Sequence, residues 1–162
     1  MSYTLEHLSA DCRAAMDADP GPAGRAKVRD FVAKACKDDD FVATHLGPDN
    51  TNEDDKHGFC ILAHVYEGAK GSNPHDHGPS WAIYSQADGV TTMTDWEKVE
   101  PPKDGEPGKV RKVKDYDMHR GDAYLYNEGD LHSPSRTDTT RLIRVEGQNL
   151  AGVKRDTYKA ID

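Results

Sequence analysis

Two histidines separated by one residue are the strongest chemical signal in the sequence. His75 and His77 flank Asp76, and a third histidine, His132, follows much later, shortly after Gly129. On a strand, alternate side chains point to the same face, so His75 and His77 can reach one point while Asp76 faces away. Neutral imidazoles are common ligands of divalent first-row metals. The spacing therefore predicts a metal site with vacant coordination positions, where a substrate can bind or react.

The composition restricts the classes of function open to the chain. Its 162 residues suffice for one domain with a core. A formal net charge of −8 argues against a nucleic-acid partner, which would select a basic surface. No apolar run approaches the roughly 18 residues that span a bilayer, so we expect no membrane partner. The first residues include Glu6 and His7 and lack an apolar stretch, so we expect no signal peptide.

Three cysteines, Cys12, Cys36 and Cys60, are an odd number and lie at no metal-binding spacing. Disulfides need an oxidising compartment, whereas reduced thiols are usual in the cytosol. The pattern therefore favours free thiols in a cytoplasmic protein.

Helical periodicity occupies the first part of the chain. Leu5, Leu8 and Cys12 recur at spacings of three to four residues, and a second apolar stripe follows a Pro-Gly-Pro break. We expect residues 1–46 to form a helical segment that packs on a β-barrel of residues 47–162. The two parts would make one structural domain.

Short apolar runs replace the helical pattern in the second part of the chain. A polar loop at residues 47–57 precedes the first of them. The runs predict strands at 59–66, 79–86, 89–96, 110–116, 122–127 and 140–146. Helices first and many short strands afterwards indicate a mainly β chain, a barrel or sandwich with an N-terminal helical cap.

Residues at fixed distances from the histidines complete two motifs. They are His75, His77, position 82 and Gly89, and then Gly121, Asn127, Gly129 and His132. With these spacings and in this order, residues 58–146 resemble a single-domain cupin. The resemblance implies a cupin β-barrel, or jelly roll, in which His75, His77 and His132 bind the metal.

Position 82 departs from the common cupin pattern, because Ala82 stands where cupins usually have a metal-binding Glu. Without that anionic ligand the charge of the metal complex rises by one unit, which favours thiolate or carboxylate ligands. A three-histidine cupin without this Glu is similar to the thiol dioxygenases, which include cysteine dioxygenase and mercaptopropionate dioxygenase. Residues 68–77, 80–81 and 94–96 also look like that family. The resemblance places Ala82 in the substrate pocket.

The substrate-binding residues of the thiol dioxygenases are missing from their expected positions. The family's carboxylate-binding Arg would fall near Asp49, but no arginine occurs between Arg29 and Arg111. The family's Ser-His-Tyr relay would fall at residues 142–146, where this chain has Leu, Arg and Glu at alternate positions. Cysteine is therefore a less suitable substrate than another small thiol or small acid.

Other polar side chains are candidates for the pocket wall. Arg136, Arg141 and Arg144 are by default solvated charges, because long charged side chains are rarely buried unpaired. Arg144 could nevertheless supply a cation to the substrate pocket from another direction. His64 lies in an apolar stretch, and we expect a core or pocket-wall histidine there and not a fourth ligand.

Three tyrosines are candidates for the catalytic proton donor or acceptor. Tyr84 shares the strand face of Ala82. Tyr124 and Tyr126 alternate toward one face, and one face of a barrel strand is its interior. Trp81 lies on the opposite face from Ala82, and we expect it to pack beneath the helical cap.

The resemblance implies a non-haem iron dioxygenase that uses O2 on a small thiol or another small anionic substrate. Fe(II) is the expected cofactor, and Ni, Cu and Zn also accept three imidazoles. Two alternatives stay open: a metal-dependent lyase, isomerase or hydrolase with a tyrosine as acid or base, and a non-catalytic small-molecule-binding cupin. The expected partners are the substrate and O2, with the chain as a monomer or homodimer.

Overall fold

Three α-helices precede ten β-strands in the computed structural model, which describes residues 2–46 and 50–161. The helices are α1 (Leu5–Ala18), α2 (Pro22–Cys36) and α3 (Asp39–His45). Side-chain caps fix the starts of α1 and α3. The Thr4 hydroxyl accepts a hydrogen bond from the His7 backbone N–H, and the Asp38 carboxylate accepts one from Phe41.

The strands form two five-stranded sheets. They are β1 (Asn50–Glu53), β2 (Cys60–Tyr66), β3 (Lys70–Gly71), β4 (Ala82–Asp88), β5 (Thr91–Glu100), β6 (Gly108–Met118), β7 (Ala123–Tyr126), β8 (Leu131–Arg136), β9 (Thr140–Glu146) and β10 (Tyr158–Ile161). Sheet A has the order β1-β2-β9-β4-β7, and sheet B the order β10-β6-β5-β8-β3. The predicted mainly β class, with two sheets that follow an N-terminal helical cap, is confirmed.

One face of sheet A packs against the helices. Ile61, Val145 and Ile83 lie side by side across β2, β9 and β4, and they share a buried core with Val28 of α2. Trp81 is buried in the same core, beneath the helical cap as the alternation predicts. Each fully buried side chain of this size contributes roughly 2 kcal/mol, which holds the cap on the barrel.

The opposite face of sheet A looks into the barrel. Strand β9 lies between β2 and β4, and its register places Glu146 beside Ala82 and Arg144 beside Tyr84. Side chains directly opposite each other on neighbouring strands stand about 5 Å apart at Cβ. The inward face of β9 therefore brings one arginine and one glutamate into the interior.

Several strand boundaries differ from the sequence-based expectation. The predicted ranges contain β2, β7 and β9 and overlap β4, β5 and β6, whereas β1, β3, β8 and β10 were missed. Strand β1 lies inside the expected polar loop, of which residues 47–49 are outside the described residues. Pro134 interrupts the apolar alternation of β8, which hides that strand in the sequence. The strand expected at His75 and His77 is wrong, since that segment is irregular apart from one bridge.

Two further expectations concern the chain as a whole. The predicted free thiols are present at Cys12, Cys36 and Cys60, all of them buried. Burial raises the pKa of Cys12 to about 12 and that of Cys36 to about 11, so both thiols keep their protons at neutral pH. In the part of the chain that the structure describes, no helix is long and apolar enough to cross a membrane. The division at residues 46 and 47 stays a prediction.

Candidate metal centre

The imidazoles of His75, His77 and His132 converge inside the barrel. Their ligand nitrogens all lie within 4.8 Å of one another, and His77 and His132 are buried. His132 projects from β8, while His75 and His77 belong to the irregular segment between β3 and β4. The backbone N–H of His75 donates to the His132 carbonyl at 3.0 Å, and the reverse bond measures 2.9 Å. The cluster is therefore assembled by an isolated bridge between this segment and β8.

Each of the three histidines uses Nδ1 for a hydrogen bond. In His75 and His132, Nδ1 lies 2.8 and 3.0 Å from the backbone carbonyl oxygen two residues earlier. In His77, Nδ1 lies 3.0 Å from the carboxylate Oε2 of Glu146. All these partners are acceptors, so each Nδ1 carries a proton and each Nε2 keeps its lone pair. The outer hydrogen bonds therefore prepare three Nε2 atoms as metal ligands.

The same arrangement is unfavourable without a cation. The Nε2 atoms of His77 and His132 are 3.1 Å apart, so two acceptor lone pairs face each other in a buried place. Burial, together with the neighbouring His75 and His77, lowers the pKa of His132 to about 2, so protonation at neutral pH does not relieve the contact. Burial also lowers the pKa of His75. A divalent metal satisfies all three lone pairs at once, so the residues present fit one.

Glu146 places a carboxylate beside the histidines. It stands directly opposite Ala82 on the neighbouring strand, and it accepts the hydrogen bond from His77. Burial alone would raise the pKa of Glu146, but the His77 hydrogen bond and the charge of Arg144 hold it below its ordinary value. Glu146 on the adjacent strand thus supplies the negative charge that position 82 lacks, as the hydrogen-bond partner of His77. Part of the extra positive charge expected for the metal complex is compensated in this way.

A cavity of about 650 Å³ lies next to the histidines and is lined by His75, His77 and Tyr84. Arg144, the candidate cation of the pocket, also lines this cavity, and its Nε lies 3.4 Å from Oε1 of Glu146. Burial opposes the charge of Arg144, but the neighbouring Tyr84 and Glu146 outweigh it and raise the Arg144 pKa. The structure therefore brings a guanidinium to the metal side of the cavity, although no arginine precedes the first motif at the family's position.

Arg136 was expected to be a solvated charge, and the structure shows that it is buried. Its side chain is buried at 6% exposure and lines the same cavity. The guanidinium lies over the ring of Tyr66, 4.1 Å from the centroid. The apolar surface of that ring and the strand position of Arg136 turn the side chain inward.

Tyr84 is the candidate tyrosine that the structure brings into the cavity. It is buried, and its hydroxyl oxygen lies 3.1 Å from Nε2 of His77. Burial raises the pKa of Tyr84 to about 12. The phenol therefore keeps its proton at neutral pH and can donate it beside the candidate metal position.

Tyr124 and Tyr126 lie on the other side of the histidine cluster. The Tyr126 ring stacks on His132 with centroids 4.1 Å apart, and its hydroxyl is hydrogen-bonded to that of Tyr116. Tyr116 in turn donates to the Asp95 carboxylate at 2.8 Å. Tyr124 is 37% exposed, and with Tyr116 and Tyr126 it lines a separate cavity of about 510 Å³. Tyr126 supports a ligand from behind, whereas Tyr124 stands apart from the first cavity.

Two predicted pocket residues lie outside the wall of the 650 Å³ cavity. Ala82 is fully buried among Tyr84, Met93 and Tyr126, whose larger side chains cover its methyl group. His64 is half-buried on β2, with its ring centroid 5.3 Å from that of Tyr66. The structure therefore does not bring these two residues to the cavity surface.

Sequence reasoning gave no role to two of the residues described above, Glu146 and Arg136. Glu146 follows Arg144 at the alternate position of β9, which was a usable signal for a shared inward face. Its contact with His77 depends on the pairing of β9 with β4, which the order of residues does not reveal. Arg136 follows His132 at two alternations along β8, but that strand was not predicted.

No family model and no curated protein sequence matches the chain. Solved structures with a similar fold include a cupin-2 domain protein from Shewanella frigidimarina, at 10% identity over 60% of this chain and 78% of that one, with a TM-score of 0.43. The cupin domain of Schizosaccharomyces pombe Cnp3 has 8% identity, coverage of 64% and 65%, and a TM-score of 0.45. KdgF from Halomonas sp. has 10% identity, coverage of 62% and 78%, and a TM-score of 0.44. At this level of similarity, the chemistry of this chain has to be argued from its own residues.

Proposed function

We propose that the chain is a metal-dependent cupin enzyme, a non-haem iron dioxygenase that acts on a small thiol or another small anionic substrate with O2. The main support is the convergence of three Nε2 lone pairs from His75, His77 and His132, with every Nδ1 engaged by an acceptor. A three-histidine set leaves coordination positions free, which oxygen chemistry requires. The resemblance of the two sequence motifs to the thiol dioxygenases supports iron and a thiol.

The residues around the histidines have separate roles in this proposal. Iron held by the histidines would supply O2 activation and a coordination position for the substrate thiolate or carboxylate. Glu146 fixes the orientation of His77 and raises its basicity. Arg144 attracts the anionic group of the substrate, and Tyr84 holds a proton close to His77. The buried interior limits the access of water to the reacting groups.

Metal analysis and oxygen uptake together test the proposal. Protein purified without chelators is expected to contain about one iron per chain, and His77→Ala is expected to lose it because one of three ligands is removed. After anaerobic loading with Fe(II), the wild type is expected to consume O2 with at least one member of a panel of small thiols and small mercapto acids. His77→Ala is expected to show no uptake above background.

A histidine remote from the cluster provides the matched control. His119 is an exposed residue, so His119→Ala is expected to keep both the iron and the oxygen uptake. Iron content that is equal in the wild type and His77→Ala would contradict the proposed ligand set. Absence of oxygen uptake with every thiol and acid of the panel would contradict the dioxygenase.

One observation favours a second function, a metal-dependent lyase, isomerase or hydrolase. The Tyr84 hydroxyl lies 3.1 Å from Nε2 of His77, and its raised pKa keeps it protonated as a general acid. Under this alternative, turnover proceeds without O2 and with Zn(II) or Ni(II) in the site. Tyr84→Phe is then expected to lower kcat about 100-fold with unchanged metal content. Activity that requires O2 and iron would exclude it.

A further inference from the structure

Arg136 is a buried cation without a counter-ion. Its Nε donates to the Thr91 hydroxyl at 3.1 Å, and its guanidinium lies over the Tyr66 ring. Over residues 2–46 and 50–161, no carboxylate lies within ion-pair distance of it, and its terminal nitrogens make no hydrogen bond. Arg136 lines the same 650 Å³ cavity as His75. The cavity is thus lined by a buried arginine, Arg136, whose terminal N–H donors are unused.

This arrangement is costly for the protein alone. A guanidinium stays protonated at neutral pH, and an unpaired charge inside a protein loses its hydration without compensation. Burial lowers the pKa of Arg136, and the nearby Arg144 lowers it further by repulsion. The Tyr66 ring offsets part of this cost but leaves the terminal donors of the planar guanidinium fork unused. A bound oxyanion would satisfy both the charge and the fork.

Arg136 and the metal-binding His132 lie at different positions along the same strand, β8. His132 and Arg136 are four residues apart on β8 and project from the same face, with Cα atoms roughly 13 Å apart at the rise of a β-strand. Arg144, on the opposite sheet, forms an ion pair with Glu146 at 3.4 Å, whereas Arg136 has no such partner among the described residues. A ligand that binds the metal through one end and Arg136 through the other must therefore carry two polar groups that are separated along its length.

We infer that the substrate is an elongated anion that binds the metal through one end and places an oxyanion, a carboxylate or a phosphate group, on Arg136 at the other end. This inference rests on the proposed function only in assuming that the three histidines hold a metal. The inference restricts the proposed class of small anionic substrates to molecules with two separated polar ends. Arg136 is then the residue that selects for chain length.

Calorimetric titration of the full chain loaded with Zn(II), which is redox-inert, tests the inference. The probes are succinate, glutarate and adipate, with pentanoate as the analogue that lacks the second oxyanion. We expect at least one dicarboxylate to bind more tightly than pentanoate, and Arg136→Met to weaken that binding about 10- to 100-fold. Pentanoate binding is expected to stay the same. 3-Phosphonopropionate, titrated alongside succinate, shows whether Arg136 prefers a phosphate-type oxyanion, and a preference for either one supports the inference.

Two further variants separate binding from folding. Arg141→Met, a half-buried arginine on β9, is the matched control and is expected to keep the preference for two oxyanions. Arg136→Lys keeps the charge but loses the fork, so it is expected to bind dicarboxylates more weakly than the wild type even if the Met variant does not fold. Without ligand, Arg136→Met is expected to melt at the same temperature as the wild type or higher, because it removes an unpaired buried charge. A purely structural arginine would lower it.

The outcomes distinguish this inference from the proposed function. Equal binding of dicarboxylates by the wild type and Arg136→Met overturns the inference and leaves the dioxygenase untouched. The same holds if no dicarboxylate of the series binds the wild type more tightly than pentanoate does. A preference for two oxyanions that depends on Arg136 supports the inference even if no oxygen uptake is found.

Discussion

The contact between Glu146 and His77 is the residue-scale feature with the clearest consequence. The Glu146 carboxylate oxygen Oε2 lies 3.0 Å from Nδ1 of His77. Its other oxygen, Oε1, lies 3.4 Å from Nε of Arg144. A carboxylate in this position fixes the tautomer and the ring orientation of a metal-binding histidine and makes Nε2 a better donor. The site thus has its anionic group one hydrogen bond away from the metal position.

The substitution Glu146→Gln tests this contact. The amide can still accept a hydrogen bond, but the negative charge is lost, so metal affinity is expected to fall about 10- to 100-fold. Competition with a chelating dye measures the effect on affinity. Glu53→Gln, at an exposed position of the edge strand β1, is the control and should bind metal like the wild type. Equal affinity of Glu146→Gln and the wild type would show that the contact only packs the two side chains.

At the scale of elements, one buried carboxylate connects the helical cap to the barrel. The Asp54 side chain is fully buried after β1 and accepts hydrogen bonds from Arg13 Nε of α1 at 2.6 Å and from the backbone N–H of His57 at 2.7 Å. It also accepts one from the backbone N–H of Lys56 at 3.1 Å. Burial alone would raise the Asp54 pKa, but these partners hold it below its ordinary value. The loop before β2 and helix α1 therefore share one anchor.

Removal of this anchor is expected to destabilise the fold. Asp54→Ala leaves two partly buried backbone N–H groups, those of Lys56 and His57, without their acceptor and frees Arg13, which costs roughly 3 kcal/mol of unfolding free energy. Urea denaturation monitored by circular dichroism measures the loss. The neighbouring Asp55 is exposed, so Asp55→Ala is expected to stay within about 0.5 kcal/mol of the wild type. Similar values for the two variants would argue against the anchor.

For the molecule as a whole, the buried neutral histidines couple folding to pH and to metal. The pKa of His132 is about 2 in the folded chain, against an ordinary value of 6.5. Below pH 6.5 the unfolded chain takes up a proton at this position and the folded chain does not. The stabilisation is therefore complete above the unfolded pKa and is lost as the pH falls toward the folded pKa. A metal ion bound to the folded cluster and not to the unfolded chain should oppose this loss.

Denaturation of metal-free protein at two pH values checks the coupling. Between pH 7.5 and 5.5 the unfolding free energy is expected to fall by about 1.4 kcal/mol for His132 alone. His132→Asn is expected to remove that part of the pH dependence, whereas His119→Asn, at an exposed position, should keep it. Saturating Zn(II) should raise the melting temperature of the wild type and leave His132→Asn nearly unchanged. Identical pH profiles for the wild type and His132→Asn would refute the buried neutral state.

The local sequence pattern by itself determined the fold class and the candidate metal ligands. Helical periodicity in the first 46 residues and short apolar runs afterwards identified the helical cap and the mainly β class, because the period of apolar residues reflects local geometry. The spacing of His75, His77 and His132 within two motifs identified a candidate metal set. These features depend on residues near in sequence, or on distances that a motif preserves.

Tertiary structure decided the surroundings of the metal position. The pairing of β9 with β4 put Glu146 beside Ala82 and within reach of His77, and the undetected strand β8 turned Arg136 into the cavity. The segment of His75 and His77 was expected to be a strand, but a single bridge between His75 and His132 holds it in position. Register between distant strands follows from the packing of the whole barrel, and a shift of one residue would turn each of these side chains to the other face. The sequence thus pointed to the metal, and the fold determined which charges surround it.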